Sequence, residues 1–463
     1  MGIFKTYDVR GIYGINLTEN EAYKIGYYLI KKFNLTEFKV AHDCRVSSDS
    51  LTKYFIKGLV DAGAKVYFLG LSSTPNFYFS LFEGINNGVM ITASHNSKEY
   101  NGFKFIIKGN SFDSRNGLFD LEKLVFEDKD LIEKDFSSFK DEIFKMSLSD
   151  FLLDNKIEVK SNLRNYTLFL ETKFREILTV DEIEILKKLK IGLDFSSGVS
   201  SLVFMELKKV FNLNFKFYNE ICDGNFPNHL PDPKTAEEFL KKQNENLDFI
   251  GVFDGDGDRI SFYDENKNII MVDYVIADYI DFFSKISKNF VCDLRVSKII
   301  KSLCDENNLN VDFIKVGRAF YKDFMDKHDC SFGAELSGHL FFKDFKNFDN
   351  PDLGFIYMLK IYLQRLEFNK TLKFSEMFDK YKKYFKIPET NFKVKNVEKV
   401  FKNLNLEFGK NLILELDGLS FDFGEWWFNI RKSNTEPVVR VNLEALTKEI
   451  ALEKMNFLKK FLI

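Results

Sequence analysis

Three carboxylates stand at alternate positions in Asp254-Gly255-Asp256-Gly257-Asp258-Arg259, directly after the apolar run Phe249–Phe253. Glycines between them permit tight curvature, so the three side chains can converge on one hard cation that takes oxygen ligands. Left without a cation, they repel. The spacing also resembles the start of a calcium-binding loop between two helices, with Glu265 at the twelfth position counted from Asp254. Against that reading, the preceding run is strand-like, and the sixth position holds Arg259 instead of glycine. The chemistry indicated is a catalytic Mg²⁺ ahead of Ca²⁺, and a solvated acidic turn is the plainer alternative.

Thr92-Ala93-Ser94-His95-Asn96 follows the strand-like Val89–Ile91, at the carboxyl end where α/β sheets place ligands. A serine presented there can act as a nucleophile. Asn101-Gly102 predicts a tight turn that returns Lys104 to the same cavity, where a cation stabilises a phosphate on serine and the charge of its departure. Glu335, Ser337 and His339 alternate along one segment, which in an extended conformation turns all three to one side and suits sugar hydroxyls. Arg431-Lys432-Ser433-Asn434-Thr435 combines cations with hydroxyl and amide donors, a composition that fits a phosphate cradle. Taken singly, the Ser94 segment reads more readily as a polar turn that caps a helix and the Glu335 segment as a solvated strand face, while the Arg431 segment reads equally well as a polar loop.

The elements that must position these groups alternate between short apolar strands and amphipathic helices. Phe38–His42, Lys65–Leu69 and Gly88–Thr92 read as strands, with a helix over Leu51–Ala62. The alternation recurs at Lys190–Phe195, Ser200–Phe211, Phe215–Tyr218 and Phe249–Phe253. It returns at Phe290–Asp293, Lys298–Asn307, Val311–Val316 and Phe320–Lys327. Apolar strands joined by crossover helices imply parallel pairing, hence an α/β class with three similar units. The charged stretch Glu127–Asp141 carries no strand signal and closes the first unit. Phe374–Tyr384 reads as helix and Pro388–Lys395 as a linker into a smaller α+β segment. The expected domains are 1–162, 163–267, 268–378 and 379–463.

A chain of 463 residues exceeds what one core supports. Its 66 basic and 69 acidic residues nearly cancel, so no global field favours nucleic acid or an anionic membrane. Cys44, Cys222, Cys292, Cys304 and Cys330 are odd in number and lack C-x-x-C spacing, which excludes a disulfide framework and fits a reducing cytoplasm. No apolar run reaches membrane-span length and Met1–Arg10 has no signal-peptide core. Met1–Thr6 matches the loose myristoylation pattern but reads better as the entry to a functional loop.

Taken together, the loops resemble the α-D-phosphohexomutase family, in its phosphomannomutase/phosphoglucomutase branch. The likeness runs in family order from Phe4–Gly11 through His42-Asp43-Cys44-Arg45, the Ser94 loop, Asp223–Pro233 and the aspartate loop to Arg431–Pro437. It implies three related α/β domains with mixed sheets and a smaller C-terminal α+β domain around a central cleft. It implies an enzyme that interconverts hexose 1-phosphate and hexose 6-phosphate of mannose or glucose through phospho-Ser94 and a hexose 1,6-bisphosphate. Asp254, Asp256, Asp258 and Ser94 would hold Mg²⁺, with the bisphosphate as activator, and Arg259 would neighbour the substrate. Arg10, Lys104 and His339 fall in the catalytic set. Glu335 and Ser337 would read the sugar, while Arg431, Ser433, Asn434 and Thr435 would grip the unreacting phosphate. Small-molecule hexose phosphates are the implied partners, for a cytoplasmic monomer or dimer. The rivals are a phosphoglucosamine mutase, whose branch typically has glycine in place of Asn434, and a catalytically silent hexose-phosphate-binding protein. Ser97 stands where the family usually has proline, and Arg318 where this branch often has histidine.

Overall fold

Gly88–Ile91 and Phe249–Phe253 are apolar from end to end, and both form strands with every residue buried. Runs of that kind belong to sheets covered on both faces. In the computed structural model, which describes residues 2–127, 132–432 and 438–462, they lie in a first compact unit made of Met1–Ile270 with Phe345–Phe374. Met271–Asp344 with Ser375–Ile463 make a second.

The first unit carries two sheets. One contains β1 (Val9–Ile12), β2 (Glu37–His42), β3 (Lys65–Leu71), β4 (Gly88–Ile91), β5 (Tyr100–Ile107), β6 (Asn110–Phe112) and β7 (Glu158–Val159), in the order β1-β5-β4-β2-β3-β7 with β6 beside β5. The other contains β8 (Ile191–Asp194), β9 (Phe215–Tyr218), β10 (Phe249–Phe253) and β11 (Ile260–Tyr263), in the order β11-β10-β8-β9. In the second unit, β12 (Asn289–Asp293), β13 (Asn310–Ile314), β14 (Phe332–Ala334) and β15 (Leu340–Phe342) form a sheet ordered β13-β12-β14-β15. Its other sheet is antiparallel, built from β16 (Phe385–Lys393), β17 (Leu412–Glu415), β18 (Leu419–Asp422), β19 (Trp426–Lys432) and β20 (Val438–Ala445).

One frame is used three times. β2 pairs parallel with β3 and β4, and β4 pairs antiparallel with β5. β8 does the same with β9 and β10, and β10 with β11. β12 repeats the arrangement with β13 and β14, and β14 with β15. The turn between the third and fourth strand of each frame therefore leaves the carboxyl end of a parallel strand. These are the turns that carry Ser94, the aspartates and Glu335.

The packing uses phenylalanine heavily. The helix Pro351–Phe368 is apolar on nearly all sides and buries Leu353, Phe355, Ile356, Met358, Leu359, Ile361, Tyr362 and Leu363, as expected of a helix enclosed by other elements. Its Phe355 ring meets Phe204, Phe215, Phe249, Phe253 and Phe262 at centroid distances of 5.5 to 6.5 Å. The antiparallel sheet has its own core, in which Val400 and Leu404 of one helix and Met455 and Leu458 of another pack with Phe421, Phe428 and Val441. Among the described residues no helix is long and apolar enough to cross a membrane.

Three local expectations change. Pro388–Lys395 is no linker: Pro388 lies within β16, an edge strand whose register shifts between Ile387 and Thr390. An edge with a bulge is where a strand tolerates a residue without an N–H. Asn101-Gly102 makes no turn and lies inside β5, paired with Gly11 and Arg10 of β1. The segment expected as a helix to Tyr384 is a 3₁₀ helix over Phe374–Tyr381.

Candidate active site

Ser94 sits two residues past Thr92 at the end of β4, and its backbone is left-handed, with φ +53°. A residue with a Cβ in that region carries about 1–2 kcal/mol of strain, which the surroundings must hold. Arg45 does much of this. Its buried guanidinium donates to the carbonyl oxygens of Ser94, Asn96 and Ser97, each at 2.7 Å, and of Tyr100 at 3.0 Å. Asp43 orients Arg45 through Nε at 3.1 Å and accepts from Thr92 Oγ1 at 2.7 Å, and Thr92 Oγ1 in turn accepts the Ser94 N–H at 2.9 Å. Sequence reading matched His42–Arg45 to the family but gave Asp43, Arg45 and Thr92 no role. A signal was present, because Asp-x-Arg returns at Asp293–Arg295 after the equivalent strand β12, with Asp293 accepting from the backbone N–H groups of Arg295 and Leu336 at 2.7 Å.

The aspartate loop is the turn of the β10–β11 hairpin, which rules out the helix–loop–helix calcium hand. Asp254, Asp256 and Asp258 are fully buried, and one oxygen of each lies within 4.8 Å of the others. Ser94 Oγ donates to Asp254 Oδ2 at 2.8 Å. Asp254 Oδ1 accepts the backbone N–H of Asp258 at 2.9 Å and of Arg259 at 3.2 Å. Thr74, another residue without an assigned role, donates its hydroxyl to Asp256 Oδ2 at 2.7 Å. Gly257 has φ +73°, and a Cβ there would stand 2.1 Å from Ser200 Oγ, so glycine is needed for both conformation and space.

Lys104 reaches this cluster along β5, where it pairs with Met90 of β4. Its ammonium contacts Asp256 Oδ2 at 2.6 Å and also Asp258 Oδ2. Gly102 serves close approach, since a Cβ on it would fall 2.1 Å from the Val9 carbonyl oxygen of β1. That approach brings Arg10 to the Ser94 loop, where it donates to Asn96 Oδ1 at 2.9 Å and pairs with Asp8 at 2.6 Å. Arg10 Nε is buried with no hydrogen-bond partner among the described residues. Arg259 Nε lies 4.0 Å from both Asp254 Oδ2 and Asp258 Oδ1.

Burial, reinforced by Asp258 and Asp256, pushes the Asp254 carboxyl well above the usual carboxylate range. His95 moves the other way. Burial, then Arg259 and Arg10, hold its imidazole down to about 2, so it stays neutral beside Ser94. The donor set fits a hard divalent cation: three carboxylates converge, and Asp256 Oδ1 is buried with no hydrogen-bond partner among the described residues.

In the second unit, Glu335, Ser337 and His339 do come together, but through the tight β14–β15 turn instead of an extended strand. Glu335 N–H donates to the His339 carbonyl at 3.0 Å, and Gly338 takes φ +101°. Glu335 accepts the Gly317 N–H at 2.6 Å and the Ser337 hydroxyl at 2.8 Å, and His339 Nε2 lies 4.0 Å from Glu335 Oε2. Arg318 opens the helix Ala319–His328 next to this turn. Arg431, on β19, is bonded through Nη2 to both Glu389 oxygens at 2.9 and 3.2 Å. Ser433, Asn434 and Thr435 lie outside the described residues.

The fold is that of the phosphohexomutases. A crystal structure of a phosphoglucomutase/phosphomannomutase family protein from Burkholderia thailandensis superposes with a TM-score of 0.79 at 22% identity, over 99% of this chain and 96% of that one. Family models for phosphoglucomutase/phosphomannomutase match throughout, with alpha/beta/alpha domain I at residues 1–130, domain II at 170–267, domain III at 269–384 and the C-terminal domain at 385–457. A phosphomannomutase of Methanocaldococcus jannaschii is 34% identical over 99% of this chain and 97% of its own. A phosphomannomutase/phosphoglucomutase of Pseudomonas aeruginosa is 29% identical over 96% and 92%. The chain belongs to the phosphoglucomutase/phosphomannomutase family and is a mutase enzyme.

Proposed function

We propose that the chain interconverts the 1-phosphate and 6-phosphate of glucose, mannose or both, by way of phospho-Ser94 and a hexose 1,6-bisphosphate. The observation that carries this is Ser94 Oγ hydrogen-bonded at 2.8 Å to the buried Asp254, beside Asp256, Asp258 and Lys104. Phosphoryl transfer depends mainly on positioning and charge neutralisation, and this loop supplies both. In the forward step the bond from phosphorus to Ser94 Oγ breaks as a bond to the free sugar oxygen forms. Ser94 Oγ then takes back a proton and donates to Asp254, as in the structure described. The bisphosphate turns over and returns its other phosphoryl group to Ser94.

Asp254, Asp256, Asp258 and the phosphorylated Ser94 would hold Mg²⁺, which when bound supplies Lewis-acid stabilisation to the phosphoryl oxygens. Lys104, Arg10 and Arg259 bear positive charge around the transferring group, and His95 stands beside Ser94 as a neutral imidazole. Glu335 and Ser337 are assigned to sugar hydroxyls, and His339 to orienting the reacting hydroxyl. Arg431, with Ser433, Asn434 and Thr435, is assigned to the phosphate that does not react. The domains proposed for this work are 1–162, 163–267, 268–378 and 379–463, in a cytoplasmic monomer or dimer activated by the bisphosphate.

The test is a coupled assay of the purified protein with glucose, mannose and glucosamine 1-phosphates side by side, with Mg²⁺ and a trace of bisphosphate, together with intact mass. Turnover of glucose or mannose phosphate and a partly phosphorylated protein are expected. Turnover of glucosamine phosphate alone, or of none, would sink the reading.

A further inference from the structure

Cys44 and Cys222 take no part in the phosphoryl chemistry, yet the first unit brings them together from loops far apart in sequence. Cys44 follows β2, between Asp43 and Arg45, and Cys222 follows β9. Cys44 Sγ donates to the Ser197 carbonyl at 3.4 Å, and Cys222 Sγ to the next carbonyl, that of Gly198, at 3.3 Å. The sulfurs thus rest on consecutive carbonyls of one turn, near enough that each thiol shifts the titration of the other. The chain two residues past Cys222 abuts the Cys44 backbone as well, because a Cβ on Gly224 would stand 2.4 Å from the Cys44 carbonyl oxygen. Both are partly exposed, whereas Cys292, Cys304 and Cys330 are buried.

We propose that Cys44 and Cys222 form an oxidative modification site that reacts with a hydroperoxide and closes to a disulfide. The two sulfurs differ in the way such a reaction needs. The neighbouring Cys44 thiol outweighs burial and brings the Cys222 thiol down to about 7, so an appreciable part is thiolate at neutral pH. The neighbouring Cys222, followed by burial, pushes the Cys44 thiol up, and it keeps its proton. The Cys222 thiolate attacks one peroxide oxygen, the S–O bond forms as O–O breaks, and the other oxygen leaves as water or an alcohol after taking a proton. The Cys44 sulfur then attacks the sulfenic sulfur, S–S forms as S–O breaks, and the departing hydroxide takes the Cys44 proton to become water. Two thiols lose two electrons and one hydroperoxide gains them.

The bridge would lie against the machinery that holds Ser94. Arg45 adjoins Cys44, and the ring of Phe226, a few residues past Cys222, lies 5.0 Å from the Arg45 guanidinium. A disulfide fixes its sulfurs at about 2.05 Å and restricts the separation of the two Cα atoms, so closure would tether the Asp43–Arg45 turn to the chain that follows β9. A misplacement of about 1 Å near reacting groups costs on the order of a hundredfold in rate. Oxidation should therefore lower mutase turnover about tenfold or more, reversibly.

This activity effect rests on the proposed mutase reading, but the chemistry does not. The full-length protein is treated with stoichiometric hydrogen peroxide, then followed by thiol titration, peptide mapping and turnover before and after dithiothreitol. A Cys44–Cys222 linked peptide, a fall in turnover and its recovery on reduction are expected, with Cys222→Ser and Cys222→Ala resistant to peroxide. Absence of the linked peptide overturns the proposal, as does equal loss of activity in wild type and both Cys222 variants. Lack of turnover before treatment would sink the mutase reading and leave the linked peptide to decide this one.

Discussion

The β10–β11 turn of the first unit and the β14–β15 turn of the second leave the same strand position of the same four-strand frame, and they treat buried charge in opposite ways. The first packs Asp254, Asp256 and Asp258 together, and burial with mutual repulsion drives Asp254 toward its protonated form. The second satisfies its acids from within. Glu335 is occupied by Gly317 and Ser337. Burial pushes Asp293 up, but Arg295 and the N–H groups of Arg295 and Leu336 hold its carboxyl below the usual carboxylate range. The frame fixes where a loop emerges. Its complement of charge decides whether the loop is complete by itself or requires a cation.

If the first turn is the chemical one, its nucleophile should matter most. Ser94→Ala should drop turnover to background while circular dichroism and substrate binding remain near wild type, because only the covalent carrier is lost. Turnover near wild type would end the phosphoserine mechanism. Asp256→Asn should lower kcat about a hundredfold or more and shift the Mg²⁺ requirement upward, with partial rescue at high Mg²⁺. An unchanged metal titration would remove the triad from the site.

A smaller effect is expected in the second unit. Arg431→Ala should lower kcat/KM roughly ten- to a hundredfold, from about 1.5–3 kcal/mol of charge-assisted contact. Both reaction directions should suffer, with partial rescue by Arg431→Lys, which keeps charge but loses the bidentate fork. A defect in only one direction would separate the two substrate orientations.

The smallest effects are in stability, where the contrast between the turns becomes a difference in sign. For Asp254, whose folded pKa is raised, the folded state keeps a proton that the unfolded chain has lost, so metal-free stability falls as pH rises above the ordinary carboxylate value. For Asp293, whose folded pKa is depressed, the contribution is present above that value and lost only as pH falls through the folded one. In thermal melts with chelator, Asp254→Asn should gain steadily on wild type as pH rises above the ordinary carboxylate value. Asp293→Asn should be destabilised by a constant amount over the same range and approach wild type only in strong acid. Parallel pH profiles for the two variants would abolish the contrast.

Much of this was legible in the sequence because apolar strand runs and the aspartate spacing are local signals. Phe215–Tyr218 and Phe249–Phe253 form strands with the bounds their apolar residues suggest. What escaped depends on distant partners. Asn101-Gly102 looks like a turn, yet Gly102 answers to the Val9 carbonyl on a neighbouring strand. Pro388 looks like a break, yet an edge strand with a shifted register accepts it. Arg45 shows itself only through the Asp-x-Arg that returns at Asp293–Arg295, since its partners are carbonyls from Ser94 to Tyr100. Glu335, Ser337 and His339 do lie together, but not along an extended strand as the alternation suggested, because Gly338 folds the segment into a hairpin turn.

The left-handed backbone at Ser94 bears on how substrate can be captured in a crystal. At φ +53° a glycine meets no Cβ penalty, whereas alanine retains it. Ser94→Gly therefore removes the phosphoryl acceptor and relaxes the loop at once. It should make a firmer receptor than Ser94→Ala, inert toward its ligand and able to hold a hexose bisphosphate long enough for its orientations to be seen.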